Sequence, residues 1–234
     1  RSGMKREVNM VEQPITLKNN GQINIILNNE TKKEKSYTTS IPRPAKKAVI
    51  NHEPLREIER EMSGLVGMEE LKKMIKEIYA WLYINKKREE QGLKAGKQAL
   101  HMMFKGNPGT GKTTVARLLG KLFLNMNILS KGHLIEAERA DLVGEYIGHT
   151  AQKTRDLVKK ALGGILFIDE AYSLARGGEK DFGKEAIDTL VKHMEDSNDK
   201  FVLILAGYPR EMENFLSLNP GLRSRFPFIF DFPD

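Results

Sequence analysis

The eight residues from Gly106 to Thr113 combine types and spacing that could bind the phosphates of a nucleotide. They read Gly-Asn-Pro-Gly-Thr-Gly-Lys-Thr and fit the pattern G-x-x-x-x-G-K-[ST], in which backbone N–H groups form a nest around phosphate oxygens. Lys112 would bring a positive charge to the terminal phosphates, and the Thr113 hydroxyl would hold the Mg²⁺ that bridges them. The candidate nucleotide-binding residues in this loop are Gly106, Asn107, Pro108, Gly109, Thr110, Gly111, Lys112, Thr113 and Thr114.

Two carboxylates, Asp169 and Glu170, follow the apolar run Ile165–Ile168. Such a run is typical of a central parallel strand, and ligands bind at the carboxyl ends of these strands. Asp169 could hold Mg²⁺ through water, and Glu170 could polarise an attacking water. The other interpretation is a helix cap, since Ala171 and Leu174 follow. Beside a phosphate loop, we interpret the pair as hydrolytic.

Both motifs need strands and helices to position them. A strand at 100–104 would precede the phosphate loop, and a helix at 113–124 would follow it, so the loop opens onto a helix N-terminus, which favours anions. Further strands are predicted at 133–137, 165–169, 201–206 and 228–232, and further helices at 151–161, 184–195 and 210–216. Alternating strands and helices predict an α/β fold with a parallel sheet between helices.

Composition limits the classes of function. The chain has no cysteine, and no apolar run approaches the roughly 20 residues that cross a bilayer, so we expect a cytoplasmic protein without membrane contact. The net charge of +7 is concentrated in residues 1–60, which hold twelve Lys/Arg and seven Asp/Glu. A solvated polar tail explains that excess, and this argues against a nucleic-acid partner.

The N-terminal quarter is predicted to stand apart from the folded core. Residues 1–13 are interpreted as a tag remnant ahead of Met4 and a disordered tail. The Asn-Asn-Gly turn at 19–21 predicts a β-hairpin over 14–28, and the polar residues 29–53 predict a linker. Residues 54–234 would form the nucleotide-binding domain, which begins with two helices.

Beyond these two motifs, three segments resemble the AAA+ ATPases, in the branch of red-type rubisco activase and stage V sporulation protein K. Leu65-Val-Gly67 resembles the segment that lies against adenine, so Val66 and Gly67 are implied to bind ATP. Asn219–Pro227 resembles the stretch whose arginine reaches a neighbouring subunit's nucleotide, and 136–154 resembles the region of the central-pore loop.

The resemblance implies a P-loop NTPase of AAA+ type, with ATP and Mg²⁺ as cofactors, sheet order 5-1-4-3-2 and assembly into a ring, expected to be a hexamer. Arg225 is the implied catalytic arginine, and Arg223 is the alternative. Tyr146, Ile147 and Gly148 would grip a protein client in the pore, although Tyr146 could instead be a core aromatic of a short helix.

Two features depart from the family pattern. The predicted fourth strand leads into Tyr208, where many members have an Asn or Thr that orients the lytic water. The sequence stops at Asp234, where the family's helical lid would begin, so we expect weak ATP binding and slow hydrolysis.

The function that we expect is an ATP hydrolase that forms a ring and remodels a protein client, with sporulation implied by the resemblance. A nucleic-acid motor or loader on the same frame would need a basic pore, whereas the candidate pore segment is Glu-Tyr-Ile-Gly-His at 145–149. A nucleotide-dependent scaffold without turnover is a further alternative, and so is a small-molecule phosphotransferase or GTPase, although the Asn-Lys-x-Asp guanine motif is missing at 85–88.

Overall fold

The computed structural model describes residues 52–64, 67–96, 99–146, 148–177 and 181–233. The predicted tail, hairpin and nearly all of the predicted linker lie outside these residues. The helices are α1 (Glu53–Met62), α2 (Glu69–Glu90), α3 (Lys112–Asn125), α4 (Arg139–Leu142), α5 (His149–Ala161), α6 (Gly183–Asp196), α7 (Pro209–Leu218), α8 (Pro220–Arg223) and a 3₁₀ helix (Ala171–Ala175). The strands are β1 (Met102–Lys105), β2 (Leu134–Ala137), β3 (Ile165–Ile168), β4 (Val202–Gly207) and β5 (Phe228–Asp231).

The five strands form one parallel sheet in the order β2-β3-β4-β1-β5, which confirms the predicted order. In the centre, Met102 of β1 lies opposite Ile204 of β4 on one side and Phe228 of β5 on the other. Because all strands run the same way, their carboxyl ends share one edge of the sheet. The phosphate loop leaves β1 at that edge, and Asp169 leaves β3 at the same edge.

Alternate side chains of each central strand enter two separate cores, one on each face of the sheet. In β3, Ile165 and Phe167 join the core that is formed with α1, α2 and α3, whereas Leu166 and Ile168 join the core on the opposite face with α5, α6 and α7. The central strands are therefore buried on both faces, as their apolar runs predicted. Among the helices that the structure describes, none has the length and apolar character to cross a membrane.

His101 is a titratable residue within this apolar interior. It precedes β1, is 1% exposed, and accepts a hydrogen bond at Nδ1 from the backbone N–H of Leu203, at 3.0 Å. Burial lowers the pKa of His101 to about 4, and a weak polar contact with the Met194 backbone opposes that shift only in part. The imidazole is consequently neutral in the folded protein at neutral pH.

We expect this histidine to make the folded state sensitive to acid. The unfolded chain binds a proton at His101 below about pH 6.5, but the folded chain does so only near pH 4, so the free energy of unfolding should fall between these values by roughly 3 kcal/mol. His101→Asn keeps an acceptor for Leu203 and should remove most of this slope in urea titrations at pH 7 and pH 4.5. His149→Asn, a change at an exposed histidine, should retain the slope. If the free energy of unfolding falls equally with pH in wild type and in His101→Asn, the acid sensitivity does not come from His101.

Candidate functional site

The phosphate loop is fixed at both ends by backbone structure. At its start, the N–H of Gly106 donates to the carbonyl of Gly207 at the end of β4, at 3.1 Å. At its end, Gly111 is the N-cap of α3 and has φ 88°, a left-handed conformation that glycine adopts without a steric penalty. The loop therefore delivers its N–H groups to the first turn of α3, where helix geometry favours an anion.

Lys112 is buried within this loop. Its Nζ donates to the carbonyl oxygens of Gly106, at 2.9 Å, and of Asn107, at 2.7 Å. Burial lowers the pKa of Lys112, while the negative charge of Asp169 acts in the opposite direction. The ammonium group is thus held at the loop by two carbonyls that phosphate oxygens could replace.

The remaining predicted loop residues are more open to solvent. Asn107, Pro108 and Gly109 are exposed, and Thr110 donates from its hydroxyl to the carbonyl of Asn107 at 2.8 Å. In the first turn of α3, Thr113 is half-buried and Thr114 is exposed. The structure therefore leaves a surface over the loop that a nucleotide could cover.

The carboxylates after β3 lie beside the same loop. A small cavity of about 80 Å³ lies between the phosphate loop, the end of β3 and the end of β4. Its lining residues are Gly106, Pro108, Lys112, Asp169, Glu170, Gly207 and Tyr208. The structure thus brings together the basic, acidic and phosphate-binding residues that the sequence predicted from two separate motifs.

Glu170 has an unusual backbone. Its φ is 44° and its ψ is 43°, the left-handed region that a residue with a long side chain rarely adopts. The backbone N–H of Glu170 donates to Oδ1 of Asp169 at 2.9 Å, and the 3₁₀ helix begins at the next residue. Glu170 occupies the N-cap position and makes no side-chain cap hydrogen bond, and this exposed residue lines the cavity beside Lys112.

A second groove lies next to the loop, where the adenine segment was predicted. It has a volume of about 560 Å³ and apolar walls from Met68, Leu71 and Phe232, among other residues. The Cε atom of Met68 comes close to Gly111, since a Cβ added to that glycine would lie 3.4 Å away. Gly67 lines this groove, and Val66 lies outside the described residues.

The described residues of the candidate pore segment from Glu145 to His149 are exposed to solvent. Tyr146 is 66% exposed, which makes the alternative of a core aromatic wrong. The segment is anchored on both sides, because Gly144 donates from its N–H to the Thr150 hydroxyl at 2.9 Å and buried Thr154 donates to the carbonyl of Leu142 at 3.1 Å. His149 contacts the Tyr146 ring edge-on. Gly148 is exposed at the start of α5, and Ile147 lies outside the described residues.

The two candidate arginines differ in their surroundings. Arg225 is half-buried, and its Nε donates to Oε1 of Glu195 at 3.1 Å, while Nη2 also pairs with that oxygen and Nη1 donates to the Gly221 carbonyl at 2.5 Å. Arg223 is exposed, and its positive charge contributes to lowering the pKa of Glu213. Within the described ranges, neither arginine lines the cavity beside Lys112.

Sequence reasoning missed two residues around Glu170. Tyr172 is 5% exposed, its ring packs on Gly207, and the guanidinium of Arg176 lies 4.9 Å above that ring. Burial raises the pKa of Tyr172, and the negative charge of Glu170 adds to this effect. Arg139 donates a hydrogen bond to the 3₁₀ helix that follows Glu170. The contact of Tyr172 with Gly207 and the hydrogen bond from Arg139 to Ser173 join residues that are distant in sequence, so no local pattern indicates them.

Comparison with known proteins gives a consistent result. The family described as ATPase family associated with various cellular activities (AAA) matches residues 102–234. Stage V sporulation protein K of Bacillus subtilis (strain 168) is 73% identical over 231 residues, which cover 96% of this chain and 70% of that protein. Protein CbbX of Cereibacter sphaeroides is 49% identical over 183 residues, which cover 78% of this chain and 58% of that protein.

The chloroplastic ribulose bisphosphate carboxylase/oxygenase activase of Cyanidioschyzon merolae is 48% identical over 183 residues, 78% of this chain and 61% of that protein. The chain therefore spans about three fifths of protein CbbX and of this activase. Among solved structures, the AAA domain of FIGL-1 in complex with ADP superposes with a TM-score of 0.51 and 22% identity. That superposition covers 81% of this chain and 63% of the other, and it supports the fold.

Proposed function

The chain belongs to the AAA family of ATPases, in the branch of stage V sporulation protein K and protein CbbX, and we propose that it binds and hydrolyses Mg-ATP to remodel a protein client as a ring. The observation that carries the proposal is the cavity in which Lys112 of the phosphate loop faces Asp169 and Glu170. A cation for the phosphates and two carboxylates for metal and water are the groups that nucleotide hydrolysis requires.

Nucleotide binding would use the loop and the neighbouring groove. The backbone N–H groups of residues 109–114 would surround the phosphates, and Lys112 would exchange its two carbonyl partners for phosphate oxygens. The groove with Gly67 and Met68 offers apolar walls of a size that suits adenine. Val66, just before it in the sequence, completes the proposed adenine contact.

The oxygen donors near Lys112 fit Mg²⁺, which prefers hard oxygen ligands and keeps several waters. Thr113 would offer its hydroxyl, and Asp169 would offer the carboxylate oxygen that does not accept the N–H of Glu170. When bound, Mg²⁺ would neutralise negative charge on the phosphate oxygens. Asp169 would orient the metal's water shell through its fixed position after β3.

Hydrolysis would depend on Glu170 as the general base. Its carboxylate is exposed to the cavity and free of a cap hydrogen bond, so it can accept a proton from a water that attacks the terminal phosphate. Arg225 from a neighbouring copy would then stabilise charge on the transferring phosphate. In this proposal Arg225 must leave Glu195 and Gly221, its partners within its own subunit.

A protein client is supported by the Tyr146 segment and by the relatives. An exposed aromatic residue on an anchored segment can hold an extended polypeptide through apolar contact, without a sequence requirement. Relatives are named for stage V of sporulation and for activation of an enzyme, ribulose bisphosphate carboxylase/oxygenase. We therefore propose a protein client, a hexameric ring and a role in sporulation.

For domain organisation, we propose that residues 54–234 form one AAA+ nucleotide-binding domain. The element order from α1 to β5 and the common edge that positions both motifs support this boundary. Residues 1–53 would then be a separate N-terminal region of tail, hairpin and linker.

Tyr146→Ala tests the client part of the proposal. We expect basal ATP hydrolysis within about threefold of wild type, because Tyr146 does not line the nucleotide cavity. Stimulation of hydrolysis by a permanently unfolded polypeptide, such as reduced carboxymethylated lactalbumin, should disappear. The melting temperature should hardly change, because truncation of an exposed aromatic avoids the roughly 3–5 kcal/mol that a buried one costs.

The matched control is Ile84→Ala, which removes a side chain of α2 that is 51% exposed and should leave stimulation intact. Retained stimulation in Tyr146→Ala would contradict the client-gripping role. If Tyr146→Ala greatly lowers the melting temperature and also abolishes nucleotide binding, the Tyr146 side chain is not exposed in solution.

A further inference from the structure

The backbone of Glu170 needs an external restraint. Within the described ranges, only Glu170 and Asn127 have a positive φ without being glycine, and glutamate lacks the short amide that helps asparagine in this region. Residues in such conformations persist only where the surrounding structure fixes them. If Glu170 is the base, its position depends on whatever holds this turn.

Backbone hydrogen bonds fix the turn in part. The N–H of Asp169 donates to the Ala137 carbonyl of β2 at 3.0 Å, and the N–H of Ser173 donates to the Glu170 carbonyl at 2.8 Å. The first bond ties the residue before Glu170 to β2, and the second closes the first turn of the 3₁₀ helix. They do not attach the far end of that turn to the rest of the domain.

Arg139 adds a polar attachment to the apolar packing of Ala171, Tyr172 and Leu174, which are buried in the core beneath the 3₁₀ helix. Its Nη1 donates to the carbonyl of Ser173 at 2.7 Å, and its Nη2 pairs with Oδ1 of Asp181 at 2.5 Å. The Asp181 side chain is 12% exposed, and the same oxygen also accepts the N–H of Gly183 at 3.3 Å. The hydrogen bond from Arg139 holds the pKa of Asp181 below its usual range, so the partner stays ionised.

The start of α6 lies against one side of this arginine, whose side chain is 33% exposed. A Cβ added to Gly183, the first residue of α6, would lie 2.1 Å from the Leu174 carbonyl and 2.8 Å from Nη1 of Arg139. The start of α6 therefore packs directly on the 3₁₀ helix and on the guanidinium. Arg139 is also the first residue of α4, which leads to the Tyr146 segment.

We propose that Arg139 is a positioning residue for Glu170: by holding the Ser173 carbonyl against Asp181, it keeps the strained turn, and hence the carboxylate, aimed into the nucleotide cavity. The inference rests on the proposed role of Glu170 as the base. Arg139 should therefore affect the rate of ATP hydrolysis and leave the affinity for nucleotide unchanged.

The test is a double-mutant cycle that combines Arg139→Met with Glu170→Gln and measures the rate of ATP hydrolysis. Arg139→Met keeps the length of the side chain and removes its donors, and we expect kcat to fall about tenfold to a hundredfold, as small misplacements of reacting groups do. KM for ATP and the dissociation constant for ADP should stay within twofold of wild type. In a Glu170→Gln background, measured by single-turnover release of radioactive phosphate, Arg139→Met should cause no further loss.

Three further variants separate a positioning role of Arg139 from a general loss of stability. Arg139→Lys can hold only one partner well and should recover part of kcat. The control is Arg117→Met, which breaks the exposed Arg117–Glu136 pair beside β2 and should leave kcat unchanged. If Arg139→Met does not fold, Asp181→Asn keeps the shape of the pair, weakens its charge, and should give a smaller loss with the same dependence on Glu170.

The outcomes discriminate between the hypotheses. A kcat within twofold of wild type in Arg139→Met, or an equal loss in both backgrounds, would overturn the positioning role and leave the base assignment standing. Wild-type turnover in Glu170→Gln alone would overturn the base assignment and this inference with it.

Discussion

Lys112→Ala should remove most of the affinity for ATP. Hydrogen bonds to a charged group contribute about 1.5–3 kcal/mol, so the dissociation constant should rise by roughly tenfold to more than a hundredfold. The reason is specific to this site: Nζ is buried in the loop and is held there by two carbonyls, so its charge is already positioned for phosphate. Calorimetric titration with ATP measures the change directly.

The matched control is Lys121→Ala, because Lys121 lies on the same helix and pairs with Glu61 on the exposed side. That change should leave the dissociation constant within twofold of wild type. Comparable melting temperatures for the two variants would separate a binding effect from unfolding. An affinity within twofold of wild type for Lys112→Ala would refute the phosphate site.

The two motifs could be predicted from the sequence because their patterns are local. The apolar run Ile165–Ile168 has the composition of a strand buried on both faces, and the structure confirms such a strand. The glycines at 109 and 111 indicated backbone conformations that other residues avoid, and both have a positive φ. Alternation of strands and helices then required a parallel sheet, which brings the two motifs to one edge.

Element ends were less predictable because pairing partners define them. The first strand was expected at 100–104, but its pairing with β4 begins at Met102 and extends to Lys105 opposite Gly207. Leu100 and His101 are buried without belonging to the strand. The helices α4 and α8 and the 3₁₀ helix span four or five residues each, too few to show a helical period.

Contacts across the fold could not be predicted at all. Arg139 and Ser173 are 34 residues apart, and Arg225 and Glu195 are 30 apart, so only the packed domain brings these pairs together. For Arg225, the resemblance implied contact with a neighbouring subunit's nucleotide, whereas the folded subunit provides this arginine with a carboxylate of its own. The exposure of Tyr146 is a similar case, since its sequence fitted both a core helix and a projecting segment.

Glu170→Gln should still bind ATP but lose at least about a hundredfold in turnover, as expected when a general base is removed. Glutamine has nearly the same shape and can remain in the cavity beside Lys112, but it cannot accept the proton of the attacking water. Phosphate release measures turnover, and calorimetry measures binding. Glu211→Gln, in the exposed first turn of α7, is the control and should hydrolyse ATP at the wild-type rate. If Glu170→Gln hydrolyses ATP at nearly the wild-type rate, Glu170 is not the general base.

Mixing experiments then test whether the site is shared between subunits. Arg225→Ala should bind ATP and hydrolyse it poorly, because its proposed target is the neighbouring subunit's phosphate. If Arg225→Ala and Glu170→Gln proteins exchange subunits at an equal ratio, about a quarter of the interfaces in a cyclic ring would combine an intact Glu170 with an intact Arg225. Activity should therefore recover in part. No recovery at any ratio, with exchange verified, would make Arg225 a structural partner of Glu195 and leave Arg223, which is exposed, as the arginine to test next.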